Sequence, residues 1–227
     1  MRTVLLVLTI LIFATITGGA FSVTEAKDSK HIVLIGASIG SGWDLPNLAH
    51  RISRTDYSFE YVGSDGFDKE AYLEKILKRK DKPYAVIIKE CAAYFPGDIE
   101  GYKKEVILWI NQLRSAKIIP ILATVVPVTR PNYFTMSYAK DFLKIHFLRD
   151  KINMEARLPD ILKYNDWVRT YSKENDIAVL DLESALRVSS TDRRLRQDLT
   201  SGDGLHINSD AYRLLDKLMI QTIGSIK

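Results

Sequence analysis

Ser38 sits in the run Gly36-Ala-Ser-Ile-Gly40-Ser-Gly42, directly after the apolar run His31-Ile-Val-Leu-Ile35. Glycines on both sides let the backbone turn sharply and expose the hydroxyl. A serine hydroxyl is a poor nucleophile at neutral pH. It attacks a carbonyl only with a base in hydrogen-bond reach, and that base must be oriented by an anion. Of the four histidines, His31 opens the first apolar run, His50 falls in a helical stretch and His146 has no acid near it before Asp150. All three read as packing or surface. His206 differs, because Asp203-Gly-Leu-His206 places a carboxylate three residues ahead on one loop. From there Asp203 can reach Nδ1–H of the ring while Nε2 turns toward a nucleophile. The chemistry such a set can perform is acyl transfer through Ser38.

Other chemistries meet obstacles. Gly36-x-x-x-Gly40-x-Gly42 imitates the glycine turn of short-chain dehydrogenases, but none of the 11 tyrosines is followed by Lys four residues on. No Lys-Ser/Thr follows the glycines, so a phosphate-binding P-loop fails. Cys91 is the single cysteine, which rules out an intrachain disulfide and any Cys/His metal spacing. A lone cysteine reads as a small buried residue before it reads as a second nucleophile.

The elements that must position Ser38 and His206 follow from the alternation of short β-branched runs with longer amphipathic stretches, the signature of a parallel sheet with crossover helices. Strands are expected at 31–35, 59–63, 84–88, 118–126 and 177–181. Helices are expected over 45–53, 69–80, 99–116, 161–172 and 209–223, the last capped by Asn208 or Ser209. Pro120 should limit pairing near the start of its strand. The stretch 127–159, with Tyr133, Phe134 and Tyr138, reads as an insertion beside the site. In open parallel sheets ligands sit at the carboxyl ends of strands, which is where Ser38 lies.

The chain has 227 residues, 46% hydrophobic and 26% charged, a balance that suits one α/β core and excludes collagen-like, coiled-coil and disordered chains. The net charge of +4 arises from 32 basic and 28 acidic residues, well mixed. Lys78-Arg79-Lys80 and Arg193-Arg194-Leu195-Arg196 do not alternate with aromatic residues, so they read as solvated surface and no nucleic-acid partner is implied. Residues 1–26 read as a secretory signal: Arg2, an apolar stretch from Thr3 to Ala20, then a cleavage site after Ala26 or Ala20. The stretch is also long enough for an uncleaved membrane anchor. Either way residues 27–227 form a single exported domain, touching a membrane only through that segment. Cleavage after Ala26 removes Arg2 and Glu25 and leaves the charge unchanged.

Gly36-x-Ser38-Ile39-x-x-Gly42 and Asp203-Gly-Leu-His206-x-Asn208 together resemble the first and last sequence blocks of the SGNH (GDSL-like) hydrolases, and the likeness runs from His31 to the C-terminus. The resemblance implies a three-layer α/β/α sandwich around a mainly parallel five-stranded, flavodoxin-like sheet, and a serine esterase needing no metal or organic cofactor. It implies Ser38 as nucleophile, His206 as general base, Asp203 as its orienting acid and the N–H of Gly66 as an oxyanion donor. The third block departs from the family. Where Gly-x-Asn-Asp is usual, the chain reads Lys89-Glu90-Cys91-Ala92-Ala93, with Ala92 at the place of the amide donor. Loss of one such donor costs about 2.7 to 4 kcal/mol in the barrier. Lys89 could donate in its stead, or Lys89 and Glu90 could form a structural salt bridge. Ala37 likewise replaces the aspartate usual before the nucleophile. The expected substrate is a small-molecule or carbohydrate ester with a short acyl group. A weak or inactive domain of this fold that binds polysaccharide or protein, and an O-acyltransferase, remain open alternatives.

Overall fold

The computed structural model describes residues 29–63, 66–131 and 154–226. Both candidate blocks fall inside these ranges. The apolar stretch 3–20, His146 and the aromatics Tyr133, Phe134 and Tyr138 lie outside the described residues.

Five strands form the sheet: β1 (Lys30–Gly36), β2 (Tyr57–Gly63), β3 (Ala85–Lys89), β4 (Ile119–Ala123) and β5 (Ala178–Leu180). Every pairing is parallel, and the spatial order is β2-β1-β3-β4-β5. Residues 32–35 of β1 and 85–88 of β3 are buried without a polar interruption, as strands covered on both faces require. The chain leaves β1 toward β2 and returns past it to β3, so the order reverses between β1 and β3. In open parallel sheets the carboxyl ends of the two strands at such a switch point are where ligands bind.

Helices cover both faces. The short helices α1 (Ser38–Gly42) and α2 (Leu48–Arg51) lie on one face with α6 (Leu182–Leu186) and α7 (Ser209–Gly224). There Ile39, Trp43, Leu48, Leu186, Ala211 and Leu215 share a core with Ile32, Leu34 and Ile87. On the other face α3 (Glu70–Leu77), α4 (Ile99–Ser115) and α5 (Leu158–Glu174) supply Leu73, Trp109, Leu113 and Val168 to a core with Val33, Val86 and Ile88. This is the three-layer sandwich expected from the sequence. Asp98 caps α4 by accepting the N–H of Gly101 at 3.0 Å, and Asn208 caps α7 through the N–H groups of Asp210 and Ala211.

The boundaries differ from the sequence reading in instructive places. The helix expected over 45–53 becomes a single 3-10 turn at Leu45–Asn47, where Pro46 sits, followed by the one turn of α2. β4 stops at Ala123 instead of running to Val126, because β5 ends opposite it at Leu180. Beyond that point the Asn165 side chain takes over, accepting the N–H of Val125 at 2.7 Å and donating to its carbonyl at 2.9 Å. Pro120 is tolerated between two strands because β5 pairs with β4 only from Ile121 onward. The basic runs are neutralised locally: Arg79 pairs with Glu60, Arg194 with Asp192 and Arg196 with Asp198. Arg193 holds Asp166 and the fully buried Glu183.

Candidate active site

β1 carries the chain into the site, and α1 begins at Ser38 itself. Three glycines within residues 36–42 would make a poor helix alone, so the turn is held from outside. The Tyr61 hydroxyl donates to the carbonyls of Gly36 at 3.1 Å and Ala37 at 3.3 Å, and the Tyr212 hydroxyl donates to that of Ile39 at 3.2 Å. Gly40 is required by contact, since a Cβ there would lie 2.7 Å from the Tyr61 ring. Just beyond, the Trp43 indole N–H donates to Asp216 of α7 at 2.7 Å, and Arg51 bridges Asp216 and the Trp43 carbonyl. Two tyrosines and an aspartate far away in sequence fix where Ser38 points, and its side chain stands exposed.

The His206 loop is as firmly tied. Thr200 Oγ1 accepts the N–H groups of Gly202 and Gly204 and donates to the His206 carbonyl at 3.1 Å. The N–H of Thr129, beyond β4, donates to the Gly204 carbonyl at 3.0 Å. Asp203 Oδ1 accepts the main-chain N–H of Leu205 at 2.9 Å and of His206 at 2.8 Å.

The two loops meet. His206 Nε2 lies 3.0 Å from Ser38 Oγ, across 168 residues of sequence, and His206 Nδ1 lies 2.5 Å from Asp203 Oδ2. Burial works against the charge on Asp203, but the His206 ring and the two main-chain N–H donors outweigh it and hold the carboxyl well below its ordinary range. The Asp203 hydrogen bond raises His206 above 6.5, opposed by partial burial and by the positive charge of Lys89. A protonatable ring thus bridges an anion and an exposed hydroxyl, the arrangement that activates serine for attack on a carbonyl.

The other sequence candidates are distributed around this centre. Gly63 pairs with Gly36, so Gly66 follows β2 at the same end of the sheet, exposed. Lys89 and Glu90 are both buried but do not pair with each other. The Lys89 ammonium donates to the Glu90 carbonyl oxygen at 3.0 Å. The Glu90 carboxylate instead meets Lys69 at 2.5 Å, and Lys69 also donates to the Phe67 carbonyl. Burial pushes Glu90 up from its ordinary value, with Lys69 pulling the other way. Ala92 is buried and opens a 3-10 turn to Tyr94, whose neighbouring carbonyls are gathered by Arg157 from the turn before α5. His31 bonds Ser58 and Glu60 at the foot of β1, and His50 is exposed on α2, so neither approaches Ser38. Sequence reasoning missed Lys69, Thr200, Tyr61 and Tyr212, whose contributions are visible only once the chain is folded. Among the described residues no cluster of His, Cys, Asp or Glu could hold a metal ion.

No family model matches the sequence, and no curated protein matches it. Solved structures do match the fold. A GDSL-like lipase from Bacteroides thetaiotaomicron aligns with a TM-score of 0.60 at 18% identity, covering 86% of this chain and 88% of that one. An acetyl xylan esterase aligns at 0.62 with 16% identity, covering 85% and 99%. A catalytic mutant of an acetylxylan esterase from Geobacillus stearothermophilus aligns at 0.60 with 12% identity, covering 87% and 96%. At such identities the likeness is one of architecture: the chain has the α/β/α fold of the SGNH, or GDSL-like, hydrolases.

Proposed function

We propose that this chain is an exported serine esterase of the SGNH type, which hydrolyses short acyl esters, O-acetyl groups on carbohydrate among them, through an acyl-enzyme on Ser38. The observation that carries the proposal is the continuous relay from Asp203 through both nitrogens of His206 to the exposed Ser38 hydroxyl. The lipase and esterases that share the fold support it.

In this reading Ser38 Oγ attacks the ester carbonyl carbon as its proton passes to His206 Nε2. Asp203 keeps the proton on Nδ1 and stabilises the imidazolium that forms. The carbonyl oxygen, now anionic, is held by the main-chain N–H groups of Ser38 and Gly66. Collapse of the tetrahedral intermediate expels the alcohol, which takes the proton from His206. Water then repeats the sequence on the acyl-enzyme and releases the acid. The chemistry needs only groups the chain supplies.

Turnover of 4-nitrophenyl acetate by the purified protein, beside Ser38→Ala and His206→Ala, tests the reading. Either variant should lose about 10⁴-fold or more in kcat. Equal, slow turnover by all three proteins would instead favour a binding domain built on this fold.

A further inference from the structure

The five strands run parallel, so their amino ends lie together at the edge of the sheet opposite Ser38 and His206. Helices α3, α4 and α5 carry the chain back to that edge between strands. The end of α7 is there too, with Ser225 and Ile226 beside Ile118 and Ile177. Exposed lysines collect at this edge: Lys30 opens β1, Lys80 and Lys82 precede β3, Lys117 precedes β4 and Lys173 lies in the last turn of α5. Among the described residues none of these lysines forms an ion pair, whereas neighbouring Arg54, Lys78 and Arg79 are taken up by Asp56, Glu74 and Glu60. Exposed Arg114 joins them, and Asp81, Glu174 and Asp176 share the edge, so a positive excess remains.

Part of this charge has a local reason. The helix dipole favours cations at the carboxyl ends of α4 and α5, which suits Arg114 and Lys173, and Arg114 also donates to the Asn175 carbonyl at 2.6 Å. Lys117 is different. It follows the cap of α4 with a φ of +60°, a left-handed position that glycine fills best, so the backbone gives no reason for a lysine there. Beside it the edge opens a cavity of about 540 Å³, within the range of small-ligand sites. Arg114, Lys117 and Asp176 line that cavity together with the buried Ile118, Pro120 and Ile177.

The chain enters the fold at the same edge. Between the apolar stretch 3–20 and Lys30 stand nine residues, 21–29, which span about 30 Å when fully extended. An anchor in that stretch therefore tethers the lysine edge, and the Ser38 end lies the length of β1, about 20 Å, further off.

We propose that the lysine edge is a membrane-facing surface: with residues 3–20 held in a bilayer, Lys30, Lys80, Lys82 and Lys117 rest on anionic lipid headgroups and the Ser38 site opens away from them. The proposal goes beyond the esterase reading and takes from it only the export of the domain. Tether and charge excess are separate observations that select the same edge. Attraction of lysines to anionic lipid acts within a Debye length and is screened by salt, so the short tether is what brings the charges into range. In this orientation esters in the aqueous phase, not those of the supporting bilayer, reach Ser38.

The test reconstitutes the full chain in vesicles of phosphatidylcholine alone or mixed with an equal part of phosphatidylglycerol. Lysines are acetylated with a membrane-impermeant reagent and read by mass spectrometry. Lys30, Lys80, Lys82 and Lys117 should react about fivefold or more slowly in the anionic vesicles. Lys104 and Lys163, exposed in the first halves of α4 and α5, should react alike in both. High salt should abolish the difference. Lys82→Glu/Lys117→Glu should lose the protection of Lys30 and Lys80 and keep its turnover of a soluble ester. Equal rates in the two vesicles, slowing of Lys104 and Lys163 instead, or undiminished protection in the double variant overturns the proposal. The labelling requires no turnover: protected but inactive protein would sink the esterase reading alone, and active protein with unprotected lysines would sink this one alone.

Discussion

Asp203 grips His206 twice: Oδ2 meets ring Nδ1 at 2.5 Å, and Oδ1 accepts the His206 main-chain N–H at 2.8 Å. One carboxylate thus fixes both the ring's tautomer and the loop that carries it. The three-residue spacing makes this possible, because a tight turn brings the side chain of its first residue back over the N–H of its fourth.

Asp203→Asn separates orientation from charge. An amide nitrogen facing Nδ1 would push the ring proton to Nε2, where it would point at Ser38 and block proton transfer. We expect kcat to fall about 10³- to 10⁴-fold with the fold intact. Any residual activity should show its acid limb at lower pH, since the group that raises His206 is gone. Retention of more than a tenth of wild-type kcat would contradict the assigned role.

The same pair predicts how stability varies with pH. His206 is raised in the folded protein, so its contribution is complete below 6.5 and is lost as pH rises through the raised folded value. Asp203 is lowered, so its contribution is present above its ordinary 3.8 and is lost as pH falls through the lowered folded value. Thermal unfolding of the wild type and His206→Ala should therefore converge as pH rises through the neutral range. Wild type and Asp203→Ala should converge only in strong acid. A gap that does not change with pH would exclude the coupling.

How much of this was legible beforehand depends on how local each cause is. Ser38, Asp203 and His206 were readable because each block carries its own reason in a few consecutive residues, and the apolar strands because burial on both faces leaves an unbroken run. The start of α1 at Ser38 was not, since Gly40 and Gly42 disfavour a helix and the forces that impose one come from Tyr61 and Tyr212. The five residues of α6 were missed because so short a helix has no periodicity to show. Its signal is the Asp181 cap, which accepts the N–H of Ser184. In the sequence Lys69 is the first polar residue of the amphipathic stretch 69–80. Nothing nearby announces that it is buried against Glu90, 21 residues on.

Gly204 tests whether the His206 loop can shift. Its φ is +78°, and a Cβ would stand 2.2 Å from the Thr129 carbonyl oxygen, in a backbone that is itself hydrogen-bonded to Thr129. Gly204→Ala should cost about 1–3 kcal/mol from the left-handed backbone alone, and more from the collision. Because the loop must move, activity should fall beyond what unfolding explains; misplacement by 1 Å can cost about 100-fold. Gly224→Ala, where a Cβ meets nothing within 4 Å, is the control and should leave both unchanged or slightly improved. The readouts are melting temperature and kcat/KM on the same preparations.

Lys69 and Glu90 join two segments that the sheet does not connect: the turn beyond β2 that bears Gly66, and the end of β3. Both side chains are 1% exposed, and the ammonium lies among the rings of Phe67, Tyr94 and Trp109. Lys69→Met would leave Glu90 with a buried carboxylate, one of whose oxygens already lacks a partner among the described residues. Breaking a buried pair in this way costs about 3–5 kcal/mol, whereas replacing both members by apolar groups is often neutral. Lys69→Met/Glu90→Leu should therefore recover most of the stability that Lys69→Met loses in urea denaturation. It should recover less of the turnover if Gly66 serves as the oxyanion donor, because the ion pair anchors Lys69, three residues beyond Gly66 at the carboxyl end of the sheet. If the double variant is no more stable than the single one, the pair is not the link between these segments, and the aromatic packing around Phe67 must hold them instead.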